Sequence, residues 1–501
     1  TCSPLHAALV HTDDGQQVLR MWEFDRLREV VFQVDAWLPA DSRVLLVAIR
    51  IRNPNPAAVP MYWWSNAAVP ESETVRVVAP ADSAFASDDA DGIGRVVPTD
   101  EDGTDGTWPA RNRRARDFFF DLAAGQRPWI LAADEDGDGL AMLSTARLRG
   151  RKLFVWGEGP GGHRWQDWLT PAGTRYAEIQ AGLAQTQFQH LEMPAGAEWS
   201  WVEAYGNARV DSALAHSPDW GAAVRHCAAR VDALMSARDL DAALEYAGSW
   251  ADAPPLRSLN AGTGWGALEA LRRERTGMPW IRETGTPFAA DTITTDQQPW
   301  RDLLDTPDDA FAGASTYVRG KDWEALLEAQ KVTPAVLWHL AVMAQARADF
   351  RVARVRSLEL LALAPQEPTL AAAAHRGLAL IALAEGRVPD ALERYSQACA
   401  LDRSNASLLV EAGSTLLHHD AADEALRLIE SAGPPSARAG RIRFLFAQAL
   451  AQAGHRDRAA DILEQGLEVP DLREGEDSLA DLWTQVRPGV EIPRRYQFGM
   501  T

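Results

Sequence analysis

A step of 34 residues in the later part of the chain constrains the fold more than any other feature. Ala379, Gly413 and Ala447 are separated by it, and so are Ala391, Ala425 and Ala459. Tyr395, Ile429 and Leu463 keep the same step, as do Ala398, Ala432 and Gly466. Small residues at fixed points of each unit let two helices approach closely, and larger ones fill the gap beside them. Gly386 and Gly454 fall in the turn between paired helices, where glycine ends a helix at little steric cost. A generic helical bundle has no reason to hold four positions at one period across three units. An earlier, less regular unit runs from Trp338 through Ala341, Ala353 and Leu360 to Pro365.

This spacing matches tetratricopeptide repeats, so an α-helical repeat solenoid is expected over 334–485, with a tail over 486–501. Solenoids of this kind present an extended concave surface, and a protein partner is expected there.

The first part of the chain has a different texture. Eleven of the 19 tryptophans precede residue 210, whereas only Trp483 follows residue 340. In Val31–Trp37, Phe32, Val34 and Ala36 face one way and Gln33, Asp35 and Trp37 the other. Leu45, Val47, Ile49 and Ile51 line one face of the next strand, which Asn53 and the two prolines after it end. Further strands are expected near 62–67, 76–78, 117–121, 129–133, 140–146, 152–156, 176–191 and 199–205. Many strands without intervening helical periods predict a large antiparallel sandwich over 1–210. Helices are expected at 213–235 and 240–250. The Pro-, Gly- and Thr-rich stretch that follows, with a short helix at 265–276, is too long for a simple loop and is expected to wrap over a domain. Residues 211–333 thus read as a helical and irregular connector.

Composition excludes some partners. Lys and Arg total 50 against 70 Asp and Glu, a formal net charge of -20, which repels a phosphate backbone; no nucleic acid is expected. No apolar run reaches the roughly 20 residues of a membrane helix, so no membrane partner is expected. Cys2, Cys227 and Cys399 lie far apart, without metal or redox spacing, and fit a reducing, cytoplasmic compartment. Neither a cofactor nor a metal is expected. The run Asp134–Gly139 begins like a calcium loop, but its twelfth position is Thr145, and a hairpin turn is the expectation. The glycines around Trp265 lack a phosphate-loop ending and read as a packed turn into a helix, with Glu269 a minor site candidate. Thr1 in place of a methionine suggests the later part of a longer polypeptide.

The chemistry-bearing residues gather in three strands and two dense segments. Trp156–Trp165 (WGEGPGGHRW) joins a strand to a glycine-rich loop bearing Glu158, His163, Arg164 and Trp165. Phe154, Trp156 and Glu158 share one side; so do Tyr176, Glu178 and Gln180, and so do Trp199, Trp201, Glu203 and Tyr205. A carboxylate on an inward face is costly unless paired or hydrated, so three of them beside indoles predict a wet concave cleft. The alternatives are a solvated outer face and tryptophans that plug the core. In Met61–Glu71, Tyr62, Trp64 and Asn66 face one way; Asn66 and Glu71 are candidate ligand contacts or turn caps. Indole faces cover sugar C–H surfaces while carboxylates accept hydroxyl hydrogen bonds, which suits a carbohydrate.

Several of these stretches carry a resemblance. The first seven residues (TCSPLHA), PMYWWSN at 60–66 with VPE at 69–71, WGEGPGG at 156–162 with Arg164 and Trp165, EIQAG at 178–182 and GWGALE at 264–269 resemble a bacterial family coupling a domain of unknown function to tetratricopeptide repeats. The family domain is similar to the galactose-mutarotase β-supersandwich, shared by sugar epimerases and domains of several glycoside hydrolases. The resemblance implies a carbohydrate ligand without fixing a reaction. Family members carry a further segment, with a Gly-Gly-x-Glu motif and a Gly-His pair, that this chain lacks, so the supersandwich is expected to be incomplete. No catalytic residues are carried over from the family.

Two functions are therefore open. One is a carbohydrate-active sandwich, a glycoside hydrolase or sugar epimerase, with Glu158 and Glu203 as acid/base pair and Glu178 and Gln180 holding hydroxyls; Trp64, Trp156, Trp165 and Trp201 would supply stacking surfaces. The other is a non-catalytic sugar sensor or scaffold that binds a protein through its repeats.

Overall fold

The computed structural model describes residues 3–88, 92–96, 103–282, 284–307, 309–364, 367–433 and 440–500. Thr1, Cys2 and Pro365 lie outside the described residues. The chain divides into two compact units, Thr1–Ile293 with Phe498–Thr501, and Thr294–Gln497.

The strands of the first unit are β1 (His6–His11), β2 (Gln17–Asp25), β3 (Val30–Trp37), β4 (Val44–Arg52), β5 (Val59–Met61), β6 (Trp64–Pro70), β7 (Arg76–Val78), β8 (Ala84–Asp88) and β9 (Gly92–Val96). They continue as β10 (Arg116–Phe120), β11 (Trp129–Ala133), β12 (Leu140–Ser144), β13 (Gly150–Val155), β14 (Tyr176–Gly182), β15 (Leu191–Met193), β16 (Glu198–Asn207) and β17 (Arg257–Asn260). A nine-stranded sheet has the order β17-β1-β2-β3-β4-β16-β12-β11-β7, a six-stranded sheet the order β6-β14-β13-β10-β8-β9, and β15 pairs with β5. Every neighbouring pair described is antiparallel.

Alternation along the strands builds the core. Ile49, Ile51, Val77, Ile130, Met142 and Trp201 of the large sheet join Phe118, Phe120, Leu153, Val155 and Ile179 of the small one in a single apolar cluster. The antiparallel sandwich expected from the sequence is thus the fold of this unit. The Asp134–Gly139 run forms the β11–β12 turn, in which the Asp134 carboxylate accepts from the N–H groups of Asp136 and Asp138, both at 3.0 Å.

The large sheet is covered on its other face as well. The unit's helices are α1 (Pro160–Leu169), α2 (Ser212–Ala215), α3 (Trp220–Leu234), α4 (Ala237–Trp250) and α5 (Trp265–Thr276). Cys227 and Val231 of α3 and Leu240 and Trp250 of α4 pack with Val10, Val18, Trp37, Leu46, Leu131 and Val202. Polar strand positions are buried there too. Arg20 grips Asp35 through Nε and Nη2 at 2.7 and 3.1 Å and donates to the carbonyls of Trp250, Ala253 and Gly285. Residues 211–293, read from the sequence as most of a connector, therefore form the outer layer of the first unit, and β17 extends its sheet.

Three local expectations are corrected. The strand expected over 176–191 stops at Gly182, where the Trp64 ring leaves no room for a side chain: a Cβ there would sit 2.3 Å from Trp64 Cε2. The helix expected over 213–235 is broken around Pro218, and Asp219 caps the second part by accepting from the Ala222 N–H. Part of the glycine-rich loop after Trp156 is helical, since Pro160 stands in its first turn with φ already preset.

The second unit is helical: α6 (Gln298–Asp305), α7 (Lys321–Glu328), α8 (Pro334–Ala346), α9 (Phe350–Leu363), α10 (Pro368–Ala384), α11 (Val388–Leu401), α12 (Ala406–His418), α13 (Ala422–Ser431), α14 (Gly440–Gln452), α15 (Arg456–Glu464) and α16 (Ser478–Val486). From α8 to α15 the helices form four pairs in succession, the solenoid that the 34-residue step predicts. Ala379, Ala391, Ala425, Ala447 and Ala459 are fully buried, and so are Tyr395, Ile429 and Leu463. Each pair turns through one left-handed residue: Ala348, Gly386, Asp420 or Gly454. The next N–H then reaches back to a carbonyl of the first helix (Asp349 to Ala344, Arg387 to Ala382, Ala421 to Leu416, His455 to Leu450), closing a Schellman motif four times.

Candidate functional site

The outer face of the six-stranded sheet carries a connected polar row. Register places Asn66, Gln180, Lys152 and Phe119 side by side across β6, β14, β13 and β10. The next row in register is Ala68, Glu178, Phe154 and Asp117. Because side chains alternate, all of these point away from Leu153, Val155 and Ile179 in the core. Glu178 Oε2 accepts from Asn66 Nδ2 at 2.6 Å and from Gln180 Nε2 at 2.9 Å. Gln180 Oε1 accepts from Gln187 Nε2 at 2.8 Å, and Gln187 Oε1 accepts from Lys152 Nζ at 2.7 Å. Lys152 Nζ also pairs with Asp117 Oδ1 at 2.6 Å. A continuous chain of donors and acceptors thus runs from Asn66 to Asp117.

Rings border this row. Trp64 lies beside Phe119, with centroids 6.0 Å apart, and the Lys152 ammonium sits 5.5 Å from the ring centroids of both Phe119 and Phe154. Phe188 is largely exposed and packs on Phe119 at 6.1 Å. Tyr62 and His190 form a tilted pair at 5.3 Å; burial and then the charge of Asp117 push the Tyr62 hydroxyl upward. Asn66 is exposed, Glu178 and Phe154 are half-buried, and Lys152 and Gln180 are buried beneath them. The centre of this face therefore offers carboxylate and amide groups over an aromatic floor.

The other acidic candidates lie elsewhere. Glu203 is 0% exposed, inside the sandwich, where Ser65 Oγ and Tyr205 OH donate at 2.7 Å and Trp201 Nε1 at 3.1 Å. Burial raises its pKa, against the pull of those donors and of Arg151. Glu158 sits at the mouth of the glycine-rich loop, with Oε2 2.8 Å from His163 Nε2. The single hollow expected for Glu158, Glu178 and Glu203 is therefore not formed: the first lies before α1, the second on the outer face and the third in the core. Trp156, Trp165 and Trp201 are 1%, 3% and 0% exposed and offer no face to a ligand. Each is a core indole, Trp156 stacking on Trp165 and Trp201 meeting Trp63. Arg164 covers Trp168 and Phe498.

Glu71 is buried at the edge of this region. Its backbone N–H donates to Arg175 O, and Gln166 Nε2 of α1 donates to its Oε2 at 3.1 Å. Burial, reinforced by the charge of Glu158, raises its pKa to about 7. Glu269 is held by Arg272 and Arg273, each at 2.6 Å, as a structural ion pair.

Of the residues read from the sequence, Asn66, Glu178, Gln180 and Trp64 come together on one face. Asp117, Lys152 and Gln187 were missed. Lys152 precedes Phe154 by two, so the same alternation marks it; Gln187 belongs to no strand and has no such signal.

The helical unit has a groove of its own, about 610 Å³ in volume, between α8, α10 and the start of α12. Tyr317, Trp338, Arg376 and Asn405 line it together with Ala341 and Ala372. Among the described residues no helix is long and apolar enough to cross a membrane.

No curated protein matches the chain. Among solved structures it is similar to a TPR-domain containing protein from Parabacteroides distasonis ATCC 8503, with 16% identity and a TM-score of 0.63 over 99% of this chain and 77% of that one. That likeness is one of fold, a sandwich followed by a helical solenoid. Galactose mutarotase-like proteins also match, one from Clostridium acetobutylicum (12% identity, TM-score 0.30, 40% of this chain and 66% of that one) and one from Lactobacillus casei ATCC 334 (10%, 0.28, 40% and 72%). At such TM-scores these likenesses say nothing further about this chain. Residues 1–198 match the family model described as Domain of unknown function (DUF5107), and a helical solenoid follows in the same chain.

Proposed function

We propose that the β unit binds a carbohydrate on the outer face of its six-stranded sheet, without hydrolysing it, and that the helical unit carries a protein partner in its groove, in the cytoplasm. The observation that supports this reading is the row from Asn66 to Asp117. Its two carboxylates accept hydroxyl hydrogen bonds, its amides serve as donor and acceptor, and Phe154 and Trp64 offer apolar surface to sugar C–H groups. Hydrolysis needs two carboxyl groups about 5–10 Å apart across an open cleft, and the separation of Glu158, Glu178 and Glu203 into three environments weighs against it.

Calorimetric titration of a panel of neutral oligosaccharides into the full chain tests the sugar reading. At least one should bind, and Glu178→Ala or Asn66→Ala should weaken it at least tenfold. An unchanged affinity in both variants, or no binding to any sugar, overturns it. For the helical unit, a partner retained by the wild type should be lost on Trp338→Glu and kept on Leu358→Glu; equal retention by both variants would refute the groove.

A further inference from the structure

The glycine-rich loop explains only part of its own sequence by turning the chain. Gly162 is required locally, since a Cβ there would lie 2.2 Å from the carbonyl oxygens of both Trp156 and Gly157. Gly161 meets something distant in sequence: a Cβ there would lie 1.6 Å from the carbonyl oxygen of Gly499. Three consecutive residues, Phe498, Gly499 and Met500, are seated on α1 and on Ala115, the residue before β10. The Phe498 ring is buried, edge-on to Trp165 at 5.1 Å and to Trp168 at 5.8 Å, with the Arg164 guanidinium 5.0 Å from its centroid. Trp165 Nε1 donates to the Phe498 carbonyl at 2.9 Å, and the Ala115 N–H donates to the Met500 carbonyl at 3.2 Å.

We infer that this surface is a peptide-recognition site whose occupant is the chain's own Phe498-Gly499-Met500 segment, bound in cis. Its parts divide the work of recognition. The Trp165, Trp168 and Arg164 side chains select an aromatic ring. The missing Cβ of Gly161 lets the next carbonyl come down onto the helix. Two hydrogen bonds to main-chain carbonyls fix the register without reading side chains. Two indoles and a guanidinium around one ring form the kind of anchor that dominates peptide interfaces. The site also reaches into the sandwich, because α1 holds Gln166 against Glu71 and against the Tyr176 N–H at 2.9 Å. Seating the segment thus fixes the helix that closes one end of the outer face. This inference does not depend on the sugar reading.

The full chain carrying Phe498→Ala provides the test, with a fluorescein-labelled pentapeptide of sequence QFGMT (residues 497–501) as the probe. The peptide should bind this variant at least tenfold more tightly than it binds the wild type, whose site is filled. Adding Gly161→Val to Phe498→Ala should abolish the binding, and a scrambled peptide should not bind. Phe498→Leu keeps apolar bulk, and serves if Phe498→Ala does not fold; it should bind the peptide with intermediate affinity. Equal peptide binding by wild type and both Phe498 variants, or binding that survives Gly161→Val, overturns the site. A wild type that dimerises with concentration while both Phe498 variants stay monomeric would overturn the cis assignment, since a second copy would then supply the segment.

Discussion

The two units bury polar groups by opposite rules. Arg20, Arg76, Arg151 and Arg273 are among the largest fully buried side chains, and all four lie in the β unit. Each gathers main-chain carbonyls from connections and element ends: Arg151 takes those of Pro128, Leu148 and Gly150, Arg76 those of Ala215 and Ser217, and Arg273 those of Pro54 and Pro279. In the helical unit the large buried side chains are Trp300, Tyr395, Tyr496 and Phe444, and many ion pairs, such as Arg387 with Glu385, stand at the surface. The reason is geometric. A helix uses its own carbonyls four residues on, whereas connections packed over a sheet leave theirs facing inward and need a donor from elsewhere. A guanidinium, with five donors in one plane, serves several at once.

The contrast predicts its own failures, the largest first. Arg20→Met removes the partner of buried Asp35 and three carbonyl contacts, and should cost about 3–5 kcal/mol. Hydrogen exchange should show that loss in residues 17–52 and leave protection in 368–401 unchanged. Equal loss in both regions would erase the distinction.

Acidity should act with opposite sign on one buried group from each unit. Glu71 has a native pKa raised to about 7, so the folded state keeps a proton that the unfolded chain releases from about pH 4.5 upward. Its contribution is fully present below that value and is lost as pH rises to about 7, by up to roughly 3 kcal/mol. His339 of α8 behaves oppositely. Burial lowers its pKa to about 4, despite the Ala314 carbonyl that its Nε2 meets at 3.1 Å. The unfolded chain therefore takes up a proton first, and stability falls as pH drops from about 6.5 to 4. Urea melts across pH 4–8 should show Glu71→Gln flattening the first slope only.

One substitution, Gly→Ala, should also change sign between units. In the β unit Gly182→Ala forces a methyl into the Trp64 ring and should cost about 1–3 kcal/mol. In the solenoid the methyl of Gly413→Ala meets Leu445 Cδ1 at 3.6 Å and Ile429 Cδ1 at 4.0 Å, both ordinary contacts. There the helix preference for alanine should stabilise by about 1 kcal/mol, read as a shift in Tm. The smallest effect belongs to Ala348→Gly. It relieves a left-handed alanine, φ 60°, and should add a few tenths of a kcal/mol after the unfolded-state entropy of glycine is counted.

The same contrast explains what the sequence made legible. The solenoid was readable because its contacts recur at short, regular separations; Ala379, Tyr395 and their successors announce their own burial. Alternation also placed Asn66, Glu178 and Gln180 on one face. It failed for Trp156, Trp165 and Trp201, because an indole on a strand or loop looks the same whether open or covered. The cover over Trp165 includes Phe498, 333 residues later in the chain. Nor could alternation show that Arg20 of β2 and Gln33 of β3 meet the carbonyls of Trp250, Ala251 and Gly285. Such contacts have no period to detect.

Those carbonyls have a consequence for how the protein is made. The first strands leave the ribosome with a guanidinium, that of Arg20, whose carbonyl partners Trp250, Ala253 and Gly285 lie 230, 233 and 265 residues further along the chain. Until they arrive, the Arg20 donors not taken by Asp35 can be satisfied only by water, so early closure of the sandwich is penalised and translation order itself postpones it.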